Sequence, residues 1–159
     1  MKKMNKGFSM VELIIVIAIM AILAGALAPA LIRYINKSRI STDIQTANTI
    51  AKAVQTALAN EKGYDVADTT YNCKWTNVAA FYATSDSFTE SFKTTVGANA
   101  PEIKSIKCIS KRAAKTTRGD FGVWIDLQAN EVEVKLGGNH IVYPVADECL
   151  TNEEVNCVR

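Results

Sequence analysis

The chain of 159 residues contains a single histidine, His140, and nothing that would give it catalytic work: there is no GxSxG serine and no helical HExxH partner. A lone histidine beside a turn is read as surface structure. Cysteine is scarce, with Cys73, Cys108, Cys149 and Cys157 the full set, and no two form a CxxC pair. Thioredoxin-like redox chemistry and the common zinc spacings are therefore disfavoured, and no metal or other cofactor is expected. An excess of one charge sign is also lacking. Eighteen basic against 16 acidic side chains leave a formal +2, too little by itself to mark a nucleic-acid binder. Aromatic residues make up only 8% of the chain. Trp75, Phe81 and Tyr82 are expected to cover a helix rather than to hold a cofactor.

What is present is sharply uneven along the chain. Leu13 to Ile32 runs without a charge, whereas from Arg33 onward the composition is that of an ordinary folded domain. At about 1.5 Å per helical residue, the uncharged run reaches roughly 30 Å, the thickness of one bilayer core. Lys2, Lys3 and Lys6 precede it, so the chain should insert with its start on the cytoplasmic side. Without these three lysines the 18 basic side chains become 15 against 16 acidic, a formal −1, so the basicity belongs to the leader.

Two ordinary readings of this segment compete. A secretory signal would be cut after Ala26-Leu27-Ala28, but Pro29 directly after the cut is a poor context and the apolar run is long for such a signal. That reading would make the chain a secreted or membrane-anchored binding domain. A plain membrane anchor leaves Glu12 unexplained. A carboxylate at mid-membrane costs on the order of 2.5–3.5 kcal/mol, less near the interface, and usually has a partner. A cut after Gly7 would give Phe8 a free amino group one helical turn from Glu12, and amine and acid on neighbouring chains could then pair and set an axial register. The competing view is that Glu12 merely complements a helix amino terminus.

The stretch Lys6-Gly7-Phe8-Ser9-Met10-Val11-Glu12-Leu13, followed by the apolar run and Pro29, resembles the class III leader of the type IV pilin and type II secretion pseudopilin family. The resemblance covers about the first 35 residues, with Ser-Met after Phe8 where Thr-Leu is commoner. It implies a membrane prepilin peptidase that cuts between Gly7 and Phe8 and N-methylates Phe8. It implies that Glu12 acts in assembly by neutralising the Phe8 amine of an adjacent subunit, and that Pro29 kinks the helix. It further implies a homo-oligomeric helical filament, a pilus assembly platform and its ATPase machinery as partners, and a path from the cytoplasmic membrane to the cell surface. The subunit is expected to be structural and not an enzyme. A pilin serving adhesion, twitching motility or DNA uptake leads, with a secretion pseudopilin as the alternative.

Beyond the membrane the helical pattern continues. Ile40, Ile44, Ala47, Ile50 or Ala51, Val54 and Leu58 recur at spacings of three and four, one apolar stripe of an amphipathic helix. Lys62-Gly63 reads as its stop, with Gly63 as the residue after the cap. One helix from about Phe8 to Lys62 is expected, bent or locally melted at Pro29. Its first half is rich in small residues, Ala18, Ala21, Gly25 and Ala28, which permit close helix approach in lipid.

The remainder predicts an α+β fold, with the long helix packed on a carboxyl-terminal antiparallel β-sheet of three to four strands. The expected division is a leader at 1–7, a transmembrane and filament-core helix at 8–32, its amphipathic half at 33–62, a connecting αβ loop with a short helix at 63–102, the sheet at 103–145 and a terminal loop at 146–159. Ser87-Phe88-Thr89-Glu90 matches a capping box, followed by Phe88, Phe92 and Val96 at four-residue spacing and by Gly97 and Pro101 as an end. Residues 103–108 alternate too evenly to assign a face. Phe121, Val123, Ile125 and Leu127 share one side of a strand, as do Val132, Val134 and Leu136 in the next. Gly137-Gly138-Asn139 is a turn into Ile141-Val142-Tyr143, which Pro144 ends. An even cysteine count downstream of an export signal suggests two disulfides. Pairing Cys149 with Cys157 and Cys73 with Cys108 is one option, and Cys73 with Cys157 and Cys108 with Cys149 is another. The acid-free basic run of Lys104, Lys107, Lys111, Arg112, Lys115 and Arg118 could meet DNA or another anionic surface, or acidic patches on neighbouring subunits. A solvated strand edge is the plainer reading.

Overall fold

In the computed structural model, residues 9–97, 121–136 and 140–146 are described. The chain divides into two units, Met1–Asn36 and Lys37–Arg159. Helix α1, Met10–Leu58, contributes to both. In the first unit its side chains are exposed from Met10 to Ile35: Met10, Met20, Ile22 and Leu27 are each more than 60% accessible. The segment has the length and composition of a membrane-crossing helix, and none of it is buried. The helix continues through Pro29. The expected local melting is absent, because a proline removes only its own backbone donor and the ladder on either side can continue.

The second unit is built on the carboxyl-terminal part of α1. Ala47, Ile50, Ala51, Val54 and Ala57 are fully buried along one stripe, with Ile40, Ile44 and Leu58 partly covered at its ends. Ala53 is buried as well, which widens the stripe beyond the expected row. The helix stops at Leu58, four residues short of Lys62. Asn60 then starts a new short helix, α2 at Glu61–Val66: its side chain accepts a hydrogen bond from the Lys62 backbone N–H, and its carbonyl accepts from that of Tyr64. An asparagine that offers acceptors to the next turn competes with continuation of the first helix. Gly63 is therefore a buried residue inside α2 and not the cap of α1.

The segment expected to be a connecting loop carries most of the remaining structure. After α2 come a π-helical turn at Ala67–Tyr71, strand β1 at Trp75–Asn77, α3 at Val78–Ala83 and α4 at Ser87–Val96. The cap of α4 is Asp86, one residue before the expected Ser87. Its Oδ1 accepts the Thr89 N–H at 2.7 Å, and the Thr89 hydroxyl accepts the Asp86 N–H at 3.0 Å. An ionised carboxylate is the stronger acceptor at a helix start. Gly97 ends α4 at φ 100°, as its type suggests.

Among the described residues the sheet has four antiparallel strands in the order β1–β2–β3–β4, with β2 at Phe121–Asp126, β3 at Glu131–Leu136 and β4 at His140–Tyr143. Strict alternation puts Phe121, Val123 and Ile125 of β2 and Val132, Val134 and Leu136 of β3 into the core. Asp126 closes the β2–β3 connection by accepting the N–H groups of Gln128 and Ala129, both at 2.9 Å. Asn130 completes the turn at φ 52°, a conformation that asparagine tolerates well. A bulge between Val134 and Lys135 shifts the β3–β4 register, and the strand stops before Pro144 as expected. The Gln55 side chain donates to the Tyr143 hydroxyl at 3.0 Å, tying α1 to β4.

The π-helical turn, α3 and α4 bring together a cluster of aromatic rings. Phe81 meets Tyr71, Phe88 and Phe92 at centroid distances of 5.3, 5.4 and 5.2 Å, all edge to face. That geometry suits the ring quadrupoles. Tyr71 donates its hydroxyl to Asp86 Oδ2 at 2.7 Å. Burial, reinforced by this hydrogen bond and the Asp86 charge, pushes the Tyr71 phenol up to about 12. Tyr82 is raised too, by burial, and its hydroxyl has no hydrogen-bond partner among the described residues. Trp75 does not cover the helix as expected. It sits on edge strand β1 opposite Trp124, 43% exposed, with the Lys135 ammonium 3.9 Å from its ring centroid.

Candidate functional site

The chemistry-bearing part of the first unit is the beginning of α1. Ser9 precedes the helix, and its hydroxyl accepts the Val11 N–H at 3.3 Å. Glu12 lies in the first turn, and its Oε2 accepts the Ser9 N–H at 3.0 Å. The Ser9 carbonyl takes the first intrahelical bond, from Leu13, at 3.3 Å. Serine and glutamate thus each satisfy a backbone donor that the helix geometry orphans, as in a capping box but with the serine hydroxyl on Val11 instead of on the Glu12 N–H. In an apolar surrounding such donors have no water to turn to, so the satisfaction matters more there than in solution. Glu12 thus complements the helix start, as the plainer sequence reading held, and the same carboxylate retains acceptor capacity for a cation, since two oxygens offer about four lone-pair sites. Ser9 was not singled out from the sequence. The Ser-x-x-Glu spacing ahead of the apolar run was the signal for it.

Along the rest of this segment the surface is apolar and open. Around Gly25, a side chain carbon would meet no heavy atom within 4 Å. Gly7 and Phe8, the expected cleavage and methylation positions, lie outside the described residues. Cys73 is exposed at φ 54° and makes no disulfide among the described residues. Cys108, Cys149 and Cys157 lie outside the described residues, as do residues 103–108, residues 137–139 where a turn was expected, and the whole basic run of Lys104, Lys107, Lys111, Arg112, Lys115 and Arg118. In the second unit, a cleft of about 310 Å³ is lined by Gln55, Leu58, Ala59, Tyr64, Leu127, Asn130 and Val132. Among the described residues, no three His, Cys, Asp or Glu side chains gather in a way that could hold a metal ion.

Comparison with known proteins bears on the first segment most directly. Residues 2–28 match the family model described as the prokaryotic N-terminal methylation motif. The chain is also similar to type IV major fimbrial proteins FimA of Dichelobacter nodosus. One is 37% identical over 65 residues, which is 41% of each chain, and another is 37% identical over 62 residues, 39% of this chain and 40% of the relative. The chain thus spans about two fifths of the length of the curated relatives it matches. No solved structure matches it. Motif and relatives together support the type IV pilin family, and the long amino-terminal helix with a four-stranded antiparallel sheet is consistent with an α+β pilin fold.

Proposed function

We propose that this chain, whose leader and relatives support the type IV pilin family, is the structural subunit of a type IV pilus. The observation that carries the proposal is the first turn of α1. A methylation motif leads into a helix whose amino-terminal stretch is wholly exposed and apolar, broken by a single carboxylate, Glu12. Such a surface is unstable in water and needs either lipid or other copies of itself. A precursor held in the cytoplasmic membrane satisfies the first need, and a filament core satisfies the second.

In this reading the lysines of the leader keep the start of the chain on the cytoplasmic side. The prepilin peptidase cuts between Gly7 and Phe8 and methylates the new amine. The assembly platform and its ATPase then draw the subunit from the membrane into the fibre. Extraction exchanges lipid contacts for helix–helix contacts, a near-even trade for apolar side chains. The pairing of Glu12 with the Phe8 amine of the adjacent subunit gives the exchange a direction and the helices a register. The bend at Pro29 is part of the same proposal. The filament serves at the cell surface in adhesion, twitching motility or DNA uptake.

The test is the mass and amino-terminal sequence of the mature protein purified from the cells that make it. A start at Phe8, heavier by one methyl group, is expected. A start at Pro29, or an intact Met1, overturns the proposal.

A further inference from the structure

A carboxylate on a two-methylene arm at a helix start is mobile unless something holds it. Here the Ser9 N–H holds Glu12 Oε2 at 3.0 Å, while the Ser9 hydroxyl closes the other half of the cap on Val11 at 3.3 Å. The hydroxyl bond restrains the turn of backbone that carries the Ser9 N–H, so it helps to place the donor that Glu12 accepts from. We propose that Ser9 is a positioning residue for Glu12, fixing the carboxylate at the very start of α1 so that its remaining acceptor capacity meets the amine of an adjacent subunit. The inference rests on the pairing role of Glu12 set out above.

The physical consequence concerns register. A carboxylate free to rotate would sample positions along the neighbouring apolar turn, which includes Met10, Val11 and Leu13, all more than half exposed. Pairing with an incoming amine would then have to order the side chain at the moment of assembly, which weakens the pair. Held on Ser9, the negative charge keeps one axial height relative to its own helix. An ammonium that seeks it is thereby directed to one stagger between neighbouring helices. The hydroxyl is the part of Ser9 that only a few side chains can replace, because serine, threonine, asparagine and aspartate alone combine a short arm with an acceptor at this position.

The experiment compares sheared filament yield from cells that make the full chain as wild type, Ser9→Thr, Ser9→Val or Glu12→Gln. Threonine keeps the hydroxyl and should assemble like the wild type. Valine has the shape of threonine without the acceptor, and its yield should fall about fivefold, the weight of a typical lost helix cap. Glutamine still accepts the Ser9 N–H but carries no charge, and its filaments should be lost. Wild-type yield from Ser9→Val, alongside loss in Glu12→Gln, overturns the positioning role and leaves the pairing intact. Wild-type yield from Glu12→Gln overturns the pairing itself, and this inference with it. Hydrogen exchange at the Val11 amide of the full chain in detergent micelles covers the case of a variant that is not processed. It should quicken about fivefold in Ser9→Val and stay slow in Ser9→Thr, and unchanged exchange in Ser9→Val overturns the proposal.

Discussion

Replacing Gly63 by alanine should destabilise the second unit, against the ordinary rule for a helix. Gly63 lies inside α2, where alanine is normally better by about 1 kcal/mol. A methyl group there would stand 2.4 Å from the Ala57 carbonyl oxygen and 3.6 Å from the Asn60 Cβ. The oxygen cannot swing aside freely. It belongs to a fully buried residue of α1 and accepts the Asn60 N–H at 3.3 Å, the bond that turns the chain from α1 into α2. Relief must come from moving one helix against the other, which places the cost near the upper end of overpacking, about 3 kcal/mol. Subtracting the propensity gain leaves a net loss of about 2 kcal/mol, or roughly 6–10 °C in Tm. Urea unfolding of the detergent-solubilised full chain, followed by the fluorescence of Trp75 and Trp124, measures it. Gly122→Ala is the control, because its added carbon would sit 3.5 Å from the Trp75 ring, an ordinary contact, and should change stability by less than about 0.5 kcal/mol. A raised midpoint for Gly63→Ala would refute the close-approach argument and return the position to simple propensity.

Three further perturbations probe the packing and the electrostatics of the same unit. Phe81→Ala removes the central ring of the aromatic cluster and should cost about 3–5 kcal/mol in the same unfolding assay. Asp86→Ala removes the cap of α4 and strands the buried Tyr71 hydroxyl, for a loss of about 2–3 kcal/mol, whereas Asp86→Asn keeps one acceptor oxygen for the cap but puts an amide donor where Oδ2 accepted from Tyr71, and should recover only the share of about 1 kcal/mol that belongs to the cap. Because the folded state holds Tyr71 at about 12 while an unfolded tyrosine titrates near 10, its contribution is complete below pH 10 and is lost as pH rises from 10 through 12. Tyr71→Phe should flatten that alkaline decline relative to the wild type, and an unchanged slope would show that the phenol is not held. Lys135→Gln removes the cation over Trp75 and should cost about 0.5–1 kcal/mol, with a shift in tryptophan emission.

The parts of this fold that were legible in the sequence are those where one pattern acts alone. An uncharged run of bilayer length has one structural outcome, and the alternation of Phe121, Val123 and Ile125 against Val132 and Val134 leaves little choice of face or pairing. The errors fall where two local signals compete within a few residues. At the end of α1, Lys62-Gly63 looks like a terminus, but Asn60 intervenes as the cap of a second helix, and Gly63 is glycine because a backbone approaches it. At α4, Ser87 and Asp86 are both competent caps, and the charged one prevails because Thr89 can answer its backbone. Strand β1 is three residues long, too short for alternation to declare itself, and is defined by β2, its partner 45 or more residues away. The start of α1 shows the same competition put to use. Glu12 was read either as a partner for an amine or as a helix-end charge, as though one role excluded the other. The Ser9–Glu12 contacts make the two compatible, since a carboxylate that caps its own helix with one oxygen is held where its remaining acceptor sites can meet a second donor. A residue whose local and intermolecular demands coincide in this way leaves one short pattern in the sequence, Ser-x-x-Glu, and nothing in the pattern separates the two demands; only variants that remove the hydroxyl and the charge independently do so.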